Sequence, residues 1–309
     1  MGQSKNWQPP EIPARIAHGD MPGDKVEIGK DHIEKANTIF PELLDEVEEI
    51  AKNHSSDRVV VAVCGGSGVG KSEIASLLSF YLSQAGIGSY TLSGDNYPHR
   101  IPKYNDAERL HVFREGALKG MLGDGVYTKE RFDVIHELQM KGDDANPVHV
   151  KEYDWYDSYL KNGRRALESY LGTPNEIGFD EIEAVLNQFK SGAPKIWLKR
   201  MGREDTELWY EEVDFSDVKV LVIEWTHGNS DYCSGADIPI LLNSTPEETL
   251  AHRRARNRDG AADSPFTATV LEIEQEMLKK QAHKAKIIVA KNGEKLSYQE
   301  YCRFMGIEE

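Results

Sequence analysis

The sequence has few cysteines and no long apolar run. Its three cysteines lie far apart among 309 residues, at Cys64, Cys233 and Cys302. That spacing excludes a disulfide framework or a zinc cluster and is typical of a reducing compartment. No apolar run approaches the roughly 18 residues of a membrane span, and the polar, proline-bearing first twenty residues do not predict a signal peptide. We therefore expect a cytoplasmic protein with no membrane partner.

The sequence also has fewer basic than acidic residues. The chain has 37 Lys and Arg against 52 Asp and Glu, a formal net charge of −15. An acidic chain repels the phosphate backbone, which argues against general nucleic-acid binding. Any anionic ligand would need a locally basic site. The densest basic cluster is HRRARNR, His252–Arg258.

Apolar strands alternate with amphipathic helices along the chain. This pattern predicts βαβ units and a doubly wound parallel sheet in an α/β fold. We expect an N-terminal arm and helix over residues 1–57 and a P-loop NTPase domain over 58–309, with a mostly helical cap inserted at about 97–215. Residues 1 to about 38 should be extended or partly disordered. Further predictions are a first helix at Phe40–His54, helices at Pro246–Arg258 and Val270–Lys284, and a last strand at Lys286–Lys291.

A glycine-rich loop follows the first predicted strand. It fits GxxxxGK[ST] over its full length and precedes an amphipathic helix, the context that a P-loop requires. The glycines let successive N–H groups face one phosphate, and the helix adds its N-terminal partial charge. Lys71 can reach the β- and γ-phosphates, and Ser72 can bind Mg²⁺. The predicted nucleotide-binding residues are Gly65, Gly66, Ser67, Gly68, Val69, Gly70, Lys71 and Ser72.

The guanine-reading motif NKxD is missing from the sequence. Its absence disfavours a GTPase and makes ATP the better candidate. We therefore expect ATP and Mg²⁺ as the ligands of the loop.

Two acids follow predicted strands. Asp95 ends the second strand, in LSGDNYPHR, and Glu224 ends the strand VKVLVIE. In parallel α/β sheets, ligands bind beyond the carboxyl ends of the strands. Asp95 could accept a hydroxyl proton as a catalytic base, or cap a turn. Glu224 could hold Mg²⁺ through water, or be solvated at a strand end.

The basic cluster belongs to a helix end that is followed by a Gly/Ala/Ser loop, HRRARNRDGAADSPF. Arginines on a mobile loop can close over phosphates and stabilise the charge in transfer. A solvated helix face is the other interpretation. We predict that Arg254 and Arg258 are lid arginines.

These motifs, in this order, resemble the uridine kinase, phosphoribulokinase and pantothenate kinase group of P-loop kinases. The resemblance rests on the P-loop, SGDNY, the strand ending at Glu224, the RRxRxRD-like lid and the tail EQEMLKKQAHKAKIIVAKN, and it covers about residues 58–97 and 170–292. It implies Mg-ATP-dependent phosphorylation of a small-molecule hydroxyl, with Lys71 and Ser72 on Mg-ATP, Asp95 as base and Glu224 as second acid. The chain departs from the group after Glu224, where WTHG follows instead of a single glycine.

The acceptor is left open by the sequence. Polar residues near Asp95 and in the expected cap could bind it, and a convergent set of cations would favour a carboxylate or phosphate on the acceptor. Nucleosides, sugars, sugar phosphates and small hydroxy acids are all compatible, and a homodimer is one expected assembly. The acceptor candidates are Tyr97, His99, Arg100, Lys199, Arg200 and Arg203.

Two other functions remain open at this point. One is a P-loop regulator whose ATP binding switches a partner, without a small-molecule acceptor. The other is an adenylylsulfate-kinase-like enzyme, which shares the loop and the acid after the second strand. Asp95 and the arginine cluster favour a kinase over the regulator.

Overall fold

The computed structural model describes residues 7–53, 56–256 and 264–307. Helices and strands alternate over most of this length. The helices are α1 Lys30–Asn53, α2 Lys71–Gln84, α3 Pro102–Gly123, α4 Lys129–Lys141, α5 Tyr156–Glu168, α6 Phe179–Lys190, α7 Pro246–Arg256, α8 Pro265–Gln281 and α9 Tyr298–Met305. The strands are β1 Val59–Gly65, β2 Ser89–Ser93, β3 Lys195–Met201, β4 Leu208–Asp214, β5 Val220–Glu224, β6 Ile238–Leu242, β7 Ile287–Val289 and β8 Lys295–Leu296.

A six-stranded sheet carries the predicted loop and both predicted acids. Its order is β2-β5-β1-β6-β7-β8. Every pairing is parallel except that of β7 with β8. From the central β1 the chain first builds one side of the sheet and then the other, which agrees with the predicted α/β class and doubly wound parallel sheet. β3 and β4 form a separate antiparallel hairpin.

The described chain divides into two compact units. The first lies within Met1–Tyr97, Gly178–Thr249 and Leu278–Glu309, and the second comprises Pro98–Ile177 and Leu250–Met277. The first unit contains the sheet, the β3–β4 hairpin and a large apolar core built from α1, α2 and the strands β1, β5, β6 and β7. The second unit has its own core, in which the Phe113 ring lies 5.9 Å from that of Tyr159 and 5.7 Å from that of Phe266.

The first helix begins ten residues earlier than predicted. α1 starts at Lys30, so Pro41 lies inside the helix and not in its first turn, where proline is preferred. Ala36, Ile39 and Phe40 are fully buried before the proline, at the spacing of a helix face. Packing of that face against the core outweighs the helix-breaking tendency of proline.

Other predicted boundaries were also wrong. α8 begins at Pro265 and not at Val270, because the Ser264 hydroxyl accepts a hydrogen bond from the Thr267 N–H and caps the helix. The strand predicted as the last, Lys286–Lys291, is only Ile287–Val289, and β8 and α9 follow it. Within the described residues, no helix combines the length and the apolar character that crossing a bilayer requires.

Candidate active site

The glycine loop joins β1 to α2 as predicted. Gly70 directly precedes α2 with φ +95°, a conformation that side chains rarely adopt. A Cβ at this position would also come within 3.0 Å of the His32 ring. Lys71 and Ser72 open the helix, and Lys71 Nζ donates to Gly66 O at 3.0 Å. The lysine therefore lies over the loop of which it is a part.

The residues of the loop fit a nucleotide phosphate. The amides at the N-terminus of α2 and the Lys71 ammonium are all hydrogen-bond donors with positive or partial positive charge. Ser72 Oγ lies 3.0 Å from a Glu224 carboxylate oxygen, so a hydroxyl and a carboxylate face each other beside the loop. Oxygen donors of these two kinds suit Mg²⁺.

Glu224 lies at the centre of the site. Its Oε2 accepts from Ser72 Oγ at 3.0 Å, and its Oε1 accepts from Ser93 Oγ at 2.6 Å. In the sheet it lies level with Ser93, the last residue of the neighbouring strand β2. Burial and the nearby Asp95 carboxylate raise the pKa of Glu224 to about 8, while Ser93, Lys71 and Ser72 act in the opposite direction.

Asp95 projects from an anchored turn. It lies in the 3₁₀ turn Gly94–Asn96 directly after β2 and is exposed, whereas Gly94 and Asn96 are buried. A Cβ at Gly94 would fall only 2.0 Å from the Trp225 ring, so the tryptophan packs directly against the turn. An exposed carboxylate on a fixed backbone is well placed to take a proton from a bound hydroxyl.

Tyr97 follows this turn and is almost fully buried, at 1% exposure. Among the residues that the structure describes, its hydroxyl has no hydrogen-bond partner. Burial raises the pKa of Tyr97, and Asp20 adds to the rise, so the hydroxyl stays protonated at neutral pH. Tyr97 therefore places this buried hydroxyl two residues from Asp95, and its predicted contact with an acceptor stays a prediction.

The cations of the β3–β4 hairpin face carboxylates of the protein. Lys199 Nζ lies 3.1 Å from Glu181 Oε1, and Arg200 NH1 lies 2.8 Å from Asp20 Oδ2. Arg203 is exposed. The charges of Lys199 and Arg200 are thus engaged within the protein. Asp20 was missed in the sequence because it is an isolated acid in a segment with no motif.

Of the other predicted acceptor and lid residues, three belong to the second unit and one lies outside the described residues. His99 Nε2 contacts a main-chain carbonyl at 2.9 Å, and Arg100 donates to a tyrosine hydroxyl at 3.1 Å, both within that unit. Arg254 is an exposed residue of α7. Arg258 lies outside the described residues. Lys71, Ser72, Asp95 and Glu224 are therefore the predicted residues that the structure brings together.

A sequence comparison identifies a curated relative. The chain is 39% identical over 251 residues, 81% of its length, to a bifunctional α-galactosidase/sucrose kinase of Mediterraneibacter gnavus. The chain spans only 22% of that protein's length. No protein-family model matches the chain.

Similar solved structures include two kinases. A D-glycerate 3-kinase from Cryptococcus neoformans has a TM-score of 0.48 and 12% identity, covering 87% of this chain and 98% of that chain. A possible uridine kinase from Bacillus stearothermophilus has a TM-score of 0.37 and 16% identity, covering 80% of this chain and 98% of that chain.

Proposed function

We propose that this chain, a P-loop kinase of the uridine kinase, phosphoribulokinase and pantothenate kinase group, transfers the γ-phosphate of Mg-ATP to a hydroxyl of a small molecule. The observation that carries the proposal is the arrangement around Glu224. The Glu224 carboxylate accepts a hydrogen bond from the hydroxyl of Ser72 in the P-loop. It also lies near Asp95, whose charge raises the pKa of Glu224. The glycine loop and an exposed carboxylate thus both lie close to one buried acid.

The chain's own residues divide the chemistry between them. Lys71 and the N-terminus of α2 would bind the phosphates and neutralise their charge. Ser72 and Glu224 would hold Mg²⁺, directly or through water. When bound, Mg-ATP supplies the phosphoryl group and the metal charge that stabilises its transfer.

Asp95 would act as the general base. Its carboxylate would take the proton of the acceptor hydroxyl while that oxygen bonds to the γ-phosphorus and the bond from this phosphorus to the β–γ bridging oxygen breaks, so that ADP leaves. The turn that carries Asp95 is packed under Trp225, which keeps the carboxylate in one place. Arg254 and Arg258 remain predicted lid residues.

We further propose a neutral carbohydrate as the acceptor. The relative's name includes sucrose kinase activity, and its identity over 81% of this chain supports testing sucrose first. Because this chain contains a P-loop, we relate it to the kinase activity of that bifunctional protein and not to its α-galactosidase activity. Because Lys199 and Arg200 already contact carboxylates, they offer little to a carboxylate or phosphate of an acceptor.

A coupled ADP-release assay with Mg-ATP tests this function. The acceptors are sucrose, glucose, fructose, uridine, D-glycerate, pantothenate and a sugar phosphate. We expect Lys71→Ala to lose turnover and Asp95→Asn to lower kcat by about 10²–10⁴-fold while still binding ATP. Asp45→Asn, an exposed change on α1, is the matched control and should behave as wild type.

Each contrary outcome has a separate meaning. Full activity of Asp95→Asn would disprove the base assignment. Acceptor-independent hydrolysis across the whole panel would contradict the kinase and favour an ATP-dependent switch protein.

A further inference from the structure

Residues 7–29, which precede α1, form neither helix nor strand, yet they are fixed to the first unit. The Trp7 ring lies 4.8 Å from the Phe40 ring and 5.3 Å from the Tyr81 ring. Ile12, Ile16 and Ile28 pack against the same apolar core. This N-terminal segment, residues 7–29, is therefore part of the folded unit, although its composition suggests a loose arm.

Asp20 of this segment accepts four hydrogen bonds. Its Oδ1 accepts from Ser93 N at 2.7 Å and from Asn96 Nδ2 at 3.1 Å. Its Oδ2 accepts from Tyr90 OH at 3.0 Å and from Arg200 NH1 at 2.8 Å. Burial raises the pKa of Asp20, while the Arg200 charge and the hydrogen bonds from Ser93 and Tyr90 act in the opposite direction. All four partners are donors, so the carboxyl oxygens of Asp20 act as acceptors towards each of them. The side chain is 9% exposed, so these contacts are largely shielded from water.

The contacts of Asp20 surround the residue that we propose as the base. Ser93 and Asn96 lie two positions before and one after Asp95, and Asp20 binds both. Asn96 Oδ1 also accepts from Met201 N at 3.0 Å. The turn is thus held from two sides, by the N-terminal segment and by β3.

The same segment also reaches Glu224. A Cβ on Gly19 would lie 3.5 Å from Glu224 Oε1, which is ordinary van der Waals contact. Ser93, whose N–H binds Asp20, donates its hydroxyl to that same carboxylate oxygen at 2.6 Å. Gly19 therefore lies against the Glu224 carboxylate at the end of β5. Asp20 binds the two residues, Ser93 and Asn96, that flank Asp95 after β2.

We propose that Asp20 is a positioning residue for phosphoryl transfer, which fixes the turn Gly94–Asn96 so that the Asp95 carboxylate meets the acceptor hydroxyl. This role rests on the proposed function. The simpler alternative is that Asp20 only neutralises the buried Arg200, which also binds Glu211 at 3.1 Å. In that case Asp20 would matter for stability and not for turnover.

Steady-state kinetics of Asp20→Asn separates the two roles. Asparagine has nearly the same shape as aspartate, but one of its two terminal groups is an NH₂ donor in place of an acceptor oxygen. Two of the four groups that donate to Asp20 would therefore face another donor, and the turn would lose its fixed geometry. We expect kcat to fall by about 10²-fold, since a misplacement of about 1 Å can cost that much. The KM for ATP should stay within twofold, because the P-loop is unchanged. Glu11→Gln, an exposed change in the same segment, should match wild type.

Asp20→Glu tests charge against position. Glutamate keeps a negative charge beside Arg200 but places the carboxylate one methylene further out. A positioning role predicts that kcat stays at least about tenfold low. Full activity in Asp20→Glu, or an unchanged kcat in Asp20→Asn, would overturn the proposal.

Tyr90→Phe covers the case in which Asp20→Asn does not fold. It removes one of the four donors and keeps the ring that packs 5.2 Å from Phe215. We expect kcat to fall about three- to tenfold. An unfolded Asp20→Asn together with a fully active Tyr90→Phe would assign Asp20 to stability and overturn its positioning role. A wild type that phosphorylates no acceptor would instead overturn the proposed function, and this role with it.

Discussion

Glu224 is a buried carboxylate between two serine hydroxyls. Burial and the nearby Asp95 raise its pKa from the ordinary 4.5 of a glutamate to about 8. The folded protein therefore holds a proton on Glu224 at pH values where the unfolded chain has lost it. Its contribution to stability is fully present below pH 4.5 and is lost as the pH rises through about 8.

Glu224→Gln should abolish this pH dependence, because glutamine stays neutral. We expect the free energy of unfolding of wild type to fall relative to Glu224→Gln by on the order of 2–4 kcal/mol between pH 5 and pH 8. Urea titrations of both ligand-free proteins at several pH values measure this difference in the free energy of unfolding. The exposed control Glu11→Gln should run parallel to wild type. Parallel curves for Glu224→Gln would contradict the raised pKa.

The sequence predicts some of the site residues and hides others. The P-loop is a contiguous motif, Glu224 ends an apolar strand and Asp95 closely follows a strand, so local pattern is enough to find them. Asp20 has no such signal. Its partners Ser93, Asn96 and Arg200 are 73, 76 and 180 positions away, and only the folded chain brings them together.

At the scale of elements, the end of β5 packs onto the turn after β2. Trp225 follows Glu224 directly, and its ring lies where a side chain at residue 94 would be. A Cβ on Gly94 would meet the ring at 2.0 Å, which real structures do not allow. The bulky residue after β5 is thus accommodated by a glycine on the neighbouring strand's turn.

Gly94→Ala should destabilise the fold and disturb the base. Overpacking typically costs about 1–3 kcal/mol, which thermal unfolding can resolve. Gly123→Ala at the end of α3 is the matched control, because its Cβ would meet nothing within 4 Å. Truncating the ring in a Gly94→Ala/Trp225→Ala double variant should give less than the sum of the two single costs. If the two free-energy costs simply add, the clash between residue 94 and the Trp225 ring is not the cause of the destabilisation by Gly94→Ala.

The central strands of the sheet were the most predictable elements. Continuous apolar runs in β1, β5 and β6 read clearly as buried strands. Helix ends were harder to predict. Pro41 resembles a helix start, and only the buried face before it, packed against the core, shows that the helix begins at Lys30.

At the scale of the whole molecule, the glycine loop, both acids and the N-terminal segment all belong to the first unit. A ligand that binds the folded unit and not the unfolded chain must stabilise it. Mg-ATP is expected to bind here through Lys71 and Ser72. Ligand binding and global stability are therefore linked.

Mg-ATP at about 100 times its Kd should stabilise wild type by about 2.7 kcal/mol, a rise in Tm of about 5 °C. Differential scanning fluorimetry measures this shift. Lys71→Ala should show little shift, while Asp95→Asn should keep it. A full shift in Lys71→Ala would place the nucleotide outside the P-loop.

The most direct test of the central claim is the mass of the product. Wild type is incubated with Mg-ATP and sucrose, and the sugar is analysed by mass spectrometry beside Asp95→Asn. The proposed kinase predicts a singly phosphorylated sugar, formed in step with ADP by wild type and about 10²–10⁴-fold more slowly by Asp95→Asn. ADP formed at equal rates by both proteins, with no phosphorylated sucrose or other acceptor, would contradict the proposed function.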